Sequence, residues 1–177
     1  MLSTAPTGFG ASALYGITPY LPKWTLVSTV TGSSTTATFS SLSGYARYKI
    51  VPVNLQFSNA VTPSLTINGD TGTNYSLWGI ANAGTVYQSS GVSSVSLSPS
   101  GQVNTTGFRF VFEVEDVPTA GAKAFSYSMG ALSGGSTNYV FNGAGLYSTT
   151  STISSITITV SGGTFTAGTF YLYGASA

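Results

Sequence analysis

The chain contains no cysteine and no histidine, and of its 177 residues only nine are charged, five Lys or Arg and four Asp or Glu. Each absence removes a class of chemistry. Without cysteine there is no disulfide framework and no thiolate site, and cysteine usage says nothing about the compartment. Without histidine, neither a Ser-His-acid triad nor an imidazole metal site can be built. The net charge of +1 argues against an electrostatic grip on nucleic acid or an anionic membrane, because both need clustered Lys and Arg. Apolar runs stop after a few residues, far short of the ~18 that span a bilayer. The opening "MLSTAPTGFGASALYG" lacks the basic segment and apolar run of a secretory signal, so the expectation is a product made in the cytoplasm without ordinary export.

What remains is an apolar, hydroxyl-rich and glycine-rich chain. Hydrophobic residues make up 42%, an ordinary share, while charged residues make up 5% against about 25% in a typical soluble domain. Low charge with an adequate apolar fraction is not the composition of a disordered chain. At this length folding removes roughly 70% of the unfolded surface, enough for one core without staples. The 22 glycines suit turns, and Ser and Thr suit the water-facing side of strands. A nearly neutral surface lacks the repulsion that keeps monomers apart, so the chain either tolerates association or is built for it.

Residues 1–23 are expected to form an irregular arm. Pro6, Pro19 and Pro22, with Gly8, Gly10 and Gly16, interrupt any regular element. Phe9, Leu14, Tyr15, Ile17 and Tyr20 give the arm apolar side chains to bury along its own domain or a neighbouring subunit, and these five are its candidate contacts. From Trp24 onward, strand-like runs alternate with turn signals every 8–12 residues or so, the rhythm of a sandwich or barrel. The pattern predicts strands near 24–30, 35–40, 45–57, 61–67, 73–78, 84–88, 92–98, 108–116, 123–130, 137–141, 153–160 and 168–174. In "FRFVFEVED" Phe108, Phe110, Phe112 and Val114 share the buried parity. "LTINGDTGTNY" reads as a hairpin about Asn68-Gly69-Asp70, residues that tolerate positive φ. Pro52 and Pro63 lie in strand-like runs and point to edge strands or bulges. No helical period lasts three turns. The fold expected is all-β, an antiparallel β-sandwich of jelly-roll type, with residues 24–177 as a single domain behind the arm.

The catalytic inventory is close to empty. Glu113 and Glu115 stand at i and i+2, about 7 Å apart, a separation that two-carboxylate hydrolysis permits. The simpler assignment is the solvated face of a strand, partnered by Arg47, Lys49 or Arg109. Asp70 offers one carboxylate where a Ca²⁺ loop wants several. A Ser-Lys dyad would have to use Lys23, Lys49 or Lys123, none of which lies in a nucleophile-like loop, and no phosphate-cradling glycine motif is present. No catalytic, cofactor or metal residue is therefore assigned. Trp24 and Trp78 can stack on sugar rings, and "NYSLWGIANAGTVY" presents Trp78 in what reads as an exposed loop; Trp78 is the candidate glycan contact.

The last thirty residues, "GLYSTTSTISSITITVSGGTFTAGTFYLYG", resemble the C-terminal β-hairpin of many small tailed-phage virion proteins. The matching positions are Gly145, Tyr147, Ile153, Ile156, Ile158, Phe165, Gly168, Phe170, Leu172, Tyr173 and Gly174. Upstream, "ATFSSLSGYARYKIVPVNL" is similar to the strand with which the same domains begin. The group often has a basic residue before the final Leu, where this chain has Tyr171. The resemblance implies a non-enzymatic β-sandwich used in capsid decoration, head fibres or tail appendages, as a homo-oligomer.

The expectation is a decoration or cement protein of the virion. It would be a homotrimer that binds the major capsid protein, or another virion protein, through its arm and one sandwich edge. A glycan- or receptor-binding module of a fibre or tail appendage is the alternative, and a hydrolase using Glu113 and Glu115 a third. An exposed, concave shelf at Trp78 would favour glycan binding, a packed one the scaffold.

Overall fold

The alternation of apolar and hydroxyl-bearing residues resolves into twelve strands in the computed structural model, which describes residues 23–98, 103–115, 117–132 and 138–176. In chain order they are β1 (Thr25–Thr31), β2 (Thr36–Phe39), β3 (Arg47–Phe57), β4 (Thr62–Ile67), β5 (Tyr75–Ala81), β6 (Val86–Val92), β7 (Val95–Ser96), β8 (Arg109–Val114), β9 (Lys123–Leu132), β10 (Asn138–Tyr147), β11 (Ile156–Ser161) and β12 (Phe165–Ala175). A single 3₁₀ turn, Asn82–Gly84, is the only helical piece among the described residues. The fold is an antiparallel β-sandwich. An eight-stranded sheet, in the order β1-β12-β3-β8-β9-β10-β5-β6, packs on a four-stranded sheet in the order β2-β11-β4-β7. Residues 1–22 of the expected arm lie outside the described residues, and with them Phe9, Leu14, Tyr15, Ile17 and Tyr20.

The C-terminal strands are internal in both sheets, each one place in from an edge. Ile156, Ile158 and Val160 of β11 are buried, while Thr157 and Thr159 face outward. In β12, Phe170 and Leu172 are fully buried and Tyr171 and Tyr173 lie on the other face. The expected hairpin between these strands does not form, because β11 pairs with β2 and β4 whereas β12 pairs with β1 and β3. Gly162 and Gly163 thus bridge the two sheets. Hydroxyls cover the outside of the small sheet: Thr38 and Thr66 flank Thr157, Thr36 and Ser64 flank Thr159, and the Thr38 and Thr157 hydroxyls lie 3.1 Å apart.

The Asn68-Gly69 turn is likewise a corner, not a hairpin. Both residues have positive φ and the Asp70 amide donates to the Ile67 carbonyl, closing a tight turn. Yet β4 lies in the small sheet and β5 in the large one. The Asn68 side chain explains the difference. Its Oδ1 accepts from the Ser154 and Ser155 amides at 2.8 and 3.1 Å, and its Nδ2 donates to the Thr152 carbonyl at 2.8 Å. The turn is thereby bound to the loop entering β11. From the other side, the Tyr75 hydroxyl accepts from the Ile67 amide at 2.8 Å. Pro52 and Pro63 sit in inner strands, not edges. Pro52 lies just past the stretch of β3 that pairs with β8, two residues before Asn54 at φ +56°.

Four strands, β9, β10, β5 and β6, extend the large sheet beyond β8. On β5 and β10 three inner positions, Gly79, Gly143 and Gly145, are glycines, and aromatic rings from neighbouring positions fill the space. A Cβ at Gly79 or Gly143 would strike the Phe141 ring, and one at Gly145 would strike the Ser76 carbonyl oxygen and the Phe125 ring. Phe141 stacks on Tyr127 at 5.1 Å between centroids, and Tyr75 on Tyr147 at 4.9 Å.

Two substitutions test this core. Phe110 is buried against Phe108 and Phe170, so Phe110→Ala should cost about 3–5 kcal/mol in denaturant unfolding. A loss under about 1 kcal/mol would place the ring outside the core. Gly145→Ala adds one methyl group where a backbone oxygen cannot move aside, and should destabilise by about 1–3 kcal/mol. A neutral result would mean that β10 is free to shift away from β5.

Candidate functional site on the outer face of the large sheet

Charge is not spread over the surface of this protein. Arg47 and Lys49 on β3, with Arg109, Glu113 and Glu115 at or along β8, form one strip on the outer face of the large sheet. Lys49 and Glu113 are direct cross-strand partners, with Nζ and Oε1 2.8 Å apart. Arg47 Nη1 lies 3.4 Å from Glu115 Oε1. The Lys49 ammonium also sits 4.1 Å from the centre of the Trp24 ring. Each carboxylate of the conjectured hydrolytic pair thus faces a cation across the strands, the arrangement of a solvated strand face. Half-exposed pairs of this kind contribute little stability, about 0–1 kcal/mol.

Asp70 is committed to its turn. One carboxylate oxygen accepts from the Gly72 amide at 2.7 Å and the other from Asn74 Nδ2 at 2.8 Å. The Asn74 bond, followed by the Gly72 bond, holds this carboxyl below its ordinary pKa. Among the described residues no group of three or more Asp or Glu could hold a metal ion, and no helix is long and apolar enough to cross a membrane.

Trp78 is in the middle of β5, not in a loop, and it is 52% exposed. The alternation of β5 puts Tyr75, Leu77 and Ala81 inside and Trp78 and Ile80 outside. Beyond the charged strip the outer face of β9, β10, β5 and β6 carries no charge at all. Val86, Val140 and Leu146 join Trp78 and Ile80 there as exposed apolar side chains. The outward residues of β9 are small: Ser126, Ser128 and Gly130. A trough therefore runs along β9 between the taller side chains of β8 and β10. One depression of about 470 Å³ spans Val51, Arg109, Val111, Ser128, Gly130 and Val140. A second, also about 470 Å³, spans Trp78, Ile80, Asn82, Val140 and Asn142. Val140 and Asn142 of β10 line both, so the trough and the depression at Trp78 adjoin across β10.

The sequence pointed to Trp78 but missed the trough. It predicted a strand over 137–141, whereas β10 runs on to Tyr147. The signal was present: Phe141, Gly143, Gly145 and Tyr147 hold one parity while Asn142, Ala144 and Leu146 hold the other. No family model matches the chain, nor does any curated protein or solved structure.

Phenols hold the trough from beneath. The Tyr127 hydroxyl, on the inner side of β9, donates to the Ser96 carbonyl of the small sheet at 2.7 Å. Burial pushes the pKa of Tyr127 and Tyr75 far above the ordinary value near 10, and raises Tyr48 and Tyr147 as well. The unfolded chain then releases these protons near pH 10 while the folded chain keeps them, so the unfolded state binds fewer protons above that pH and stability falls. The melting temperature should be insensitive to these groups below about pH 9 and drop steeply above about pH 10. Tyrosinate absorbance should appear together with unfolding. Full titration of all eleven tyrosines in a folded protein would show that the buried phenols are open to water.

Proposed function

We propose that the chain is a non-enzymatic structural protein of a tailed-phage virion, a decoration protein that reinforces the assembled shell as a homotrimer. The observation that carries this is the position of the segment resembling phage virion proteins. The Ile-rich and Tyr-rich strands of that segment are β11 and β12, the strands on which both sheets are built.

The connectivity supports the same role. With the β5–β6 and β9–β10 hairpins set aside, the sheet orders become β1-β12-β3-β8 and β2-β11-β4-β7. We infer a jelly roll with two inserted hairpins, an architecture common in viral capsid and lectin domains. That link is an analogy of fold and does not by itself assign a function. The surface adds an independent reason. A face of Thr and Ser hydroxyls packs into a crowded, repeated assembly without burying unpaired charge.

Attachment is assigned to the arm. Residues 1–22 contain no charged residue, and a surface that fixes such a segment has to offset about 1–2 kcal/mol per residue in backbone entropy. The protein should co-sediment with particles that lack it and have the mass of a trimer in solution. Deleting residues 1–20 should leave a folded sandwich, judged by circular dichroism, that no longer binds. Equal binding by the truncated chain would remove the arm from the attachment, and absence of the protein from purified virions would remove the virion role altogether.

A further inference from the structure

The trough on the outer face has the build of a ligand site as well as of a surface. Its floor strand, β9, is paired on both sides, with β8 and with β10, so its backbone has no free edge to which a peptide strand could add. Recognition must come from side chains. Ser128 and Asn142 are direct cross-strand partners, and on the adjacent rung Ala144 lies between Ser126 and Trp78. The side chains of Ser126, Ser128 and Asn142 are not consumed by hydrogen bonds among the described residues. Ala144 is the shortest outward side chain of β10, so on that rung the least material stands between the trough and Trp78. Two strand spacings separate the walls, about 10 Å, which admits a ligand one chain wide but not the convex surface of a globular partner.

We propose that this trough binds a neutral oligosaccharide, with Trp78 stacking on the apolar face of a sugar ring and Asn142, Ser126 and Ser128 bonding its hydroxyls. The ligand class follows from the groups present. A flat aromatic ring beside uncharged donors and acceptors matches a molecule with apolar C–H faces and a hydroxyl rim. An anionic polymer would meet one cation in the trough, Arg109, because Lys49 and Arg47 are already paired with Glu113 and Glu115. Binding here is independent of the virion role and survives or fails without it.

The test uses the full-length protein. Trp24→Phe leaves Trp78 as the sole indole, whose quenching by acrylamide reports its exposure. Titration with α-glucan, β-glucan, mannan and chitin-derived oligosaccharides, to about 10 mM, should shield Trp78 saturably with at least one of them. Calorimetry with that sugar should show Trp78→Ala and Asn142→Ala weakening binding about tenfold or more, while Leu26→Ala on the far edge strand leaves it unchanged. No shielding by any of the four, or equal affinity in Trp78→Ala, would overturn the assignment. So would a Trp78 already shielded in the free protein, or shielded by raising the protein concentration alone with a matching rise in mass. Those outcomes would mean that the chain itself, or a second copy, occupies the face.

Discussion

Both sheets depend on the strands contributed by the last twenty-two residues. β12 lies between β1 and β3, and β11 between β2 and β4, so neither sheet is continuous until the C-terminus has arrived. Pairings between opposite ends of a chain require closing long loops before any contact rewards them. The residues of these strands suit that task. Ile156, Ile158, Phe170 and Leu172 each bury a large apolar side chain between the sheets, and Gly168, at φ +115°, lets β12 lie against Asn54 and Leu55 where the register with β3 shifts. A side chain at Gly168 would press on the backbone of β3, so the shift that fits the two strands together depends on its absence.

The extension follows a different logic. β11 and β12 close the sandwich by matching side chain to side chain, whereas β5 and β10 omit side chains and let rings lie over bare backbone. Removing Cβ atoms from the inner face has an outward consequence. The alternation leaves the outer positions of β5 and β10 to Trp78, Ile80, Val140, Asn142 and Leu146, while β9 brings Ser126, Ser128 and Gly130 outward. Tall side chains on one strand and short ones on the next make a trough. Its shape is therefore fixed by the same strands whose inner faces are locked by Phe125, Tyr127 and Phe141.

All twelve strands were legible in the sequence, because alternation reports which side of a strand is buried. It does not report which strand lies alongside. Asn68-Gly69 has the chemistry of a hairpin turn, and a local reading joins β4 to β5; the Asn68 bonds to Thr152, Ser154 and Ser155 come from a loop more than eighty positions away and turn it into a corner. The same holds for β11 and β12, whose glycine loop looks like a hairpin connection. The strand expected over 137–141 runs on through Gly143 and Gly145, which make room for Phe141 and Phe125. Trp78 was singled out correctly as exposed, although its parity within β5, and not a loop, is what exposes it.

A protein with so little charge must protect its sheet edges by geometry. Edge strands with unpaired backbone invite further strands, and the common defence is a Lys or Glu at the edge. Here β1 and β6 bound the large sheet, and neither contains a charged residue. Each has an irregularity instead. The β1 register slips between Leu26 and Ser28, and β6 skips Gly91, at φ +64°, as its partners pass from Tyr75 to Ser76. Such bulges twist an edge out of register with an incoming strand. The small sheet ends in β2 and β7, of four and two residues, too short to template another chain. With edges blocked in this way, association through strand addition is suppressed while the broad faces stay open. Contacts made by those faces, the hydroxyl array on one side and the trough on the other, can then be close without being indiscriminate.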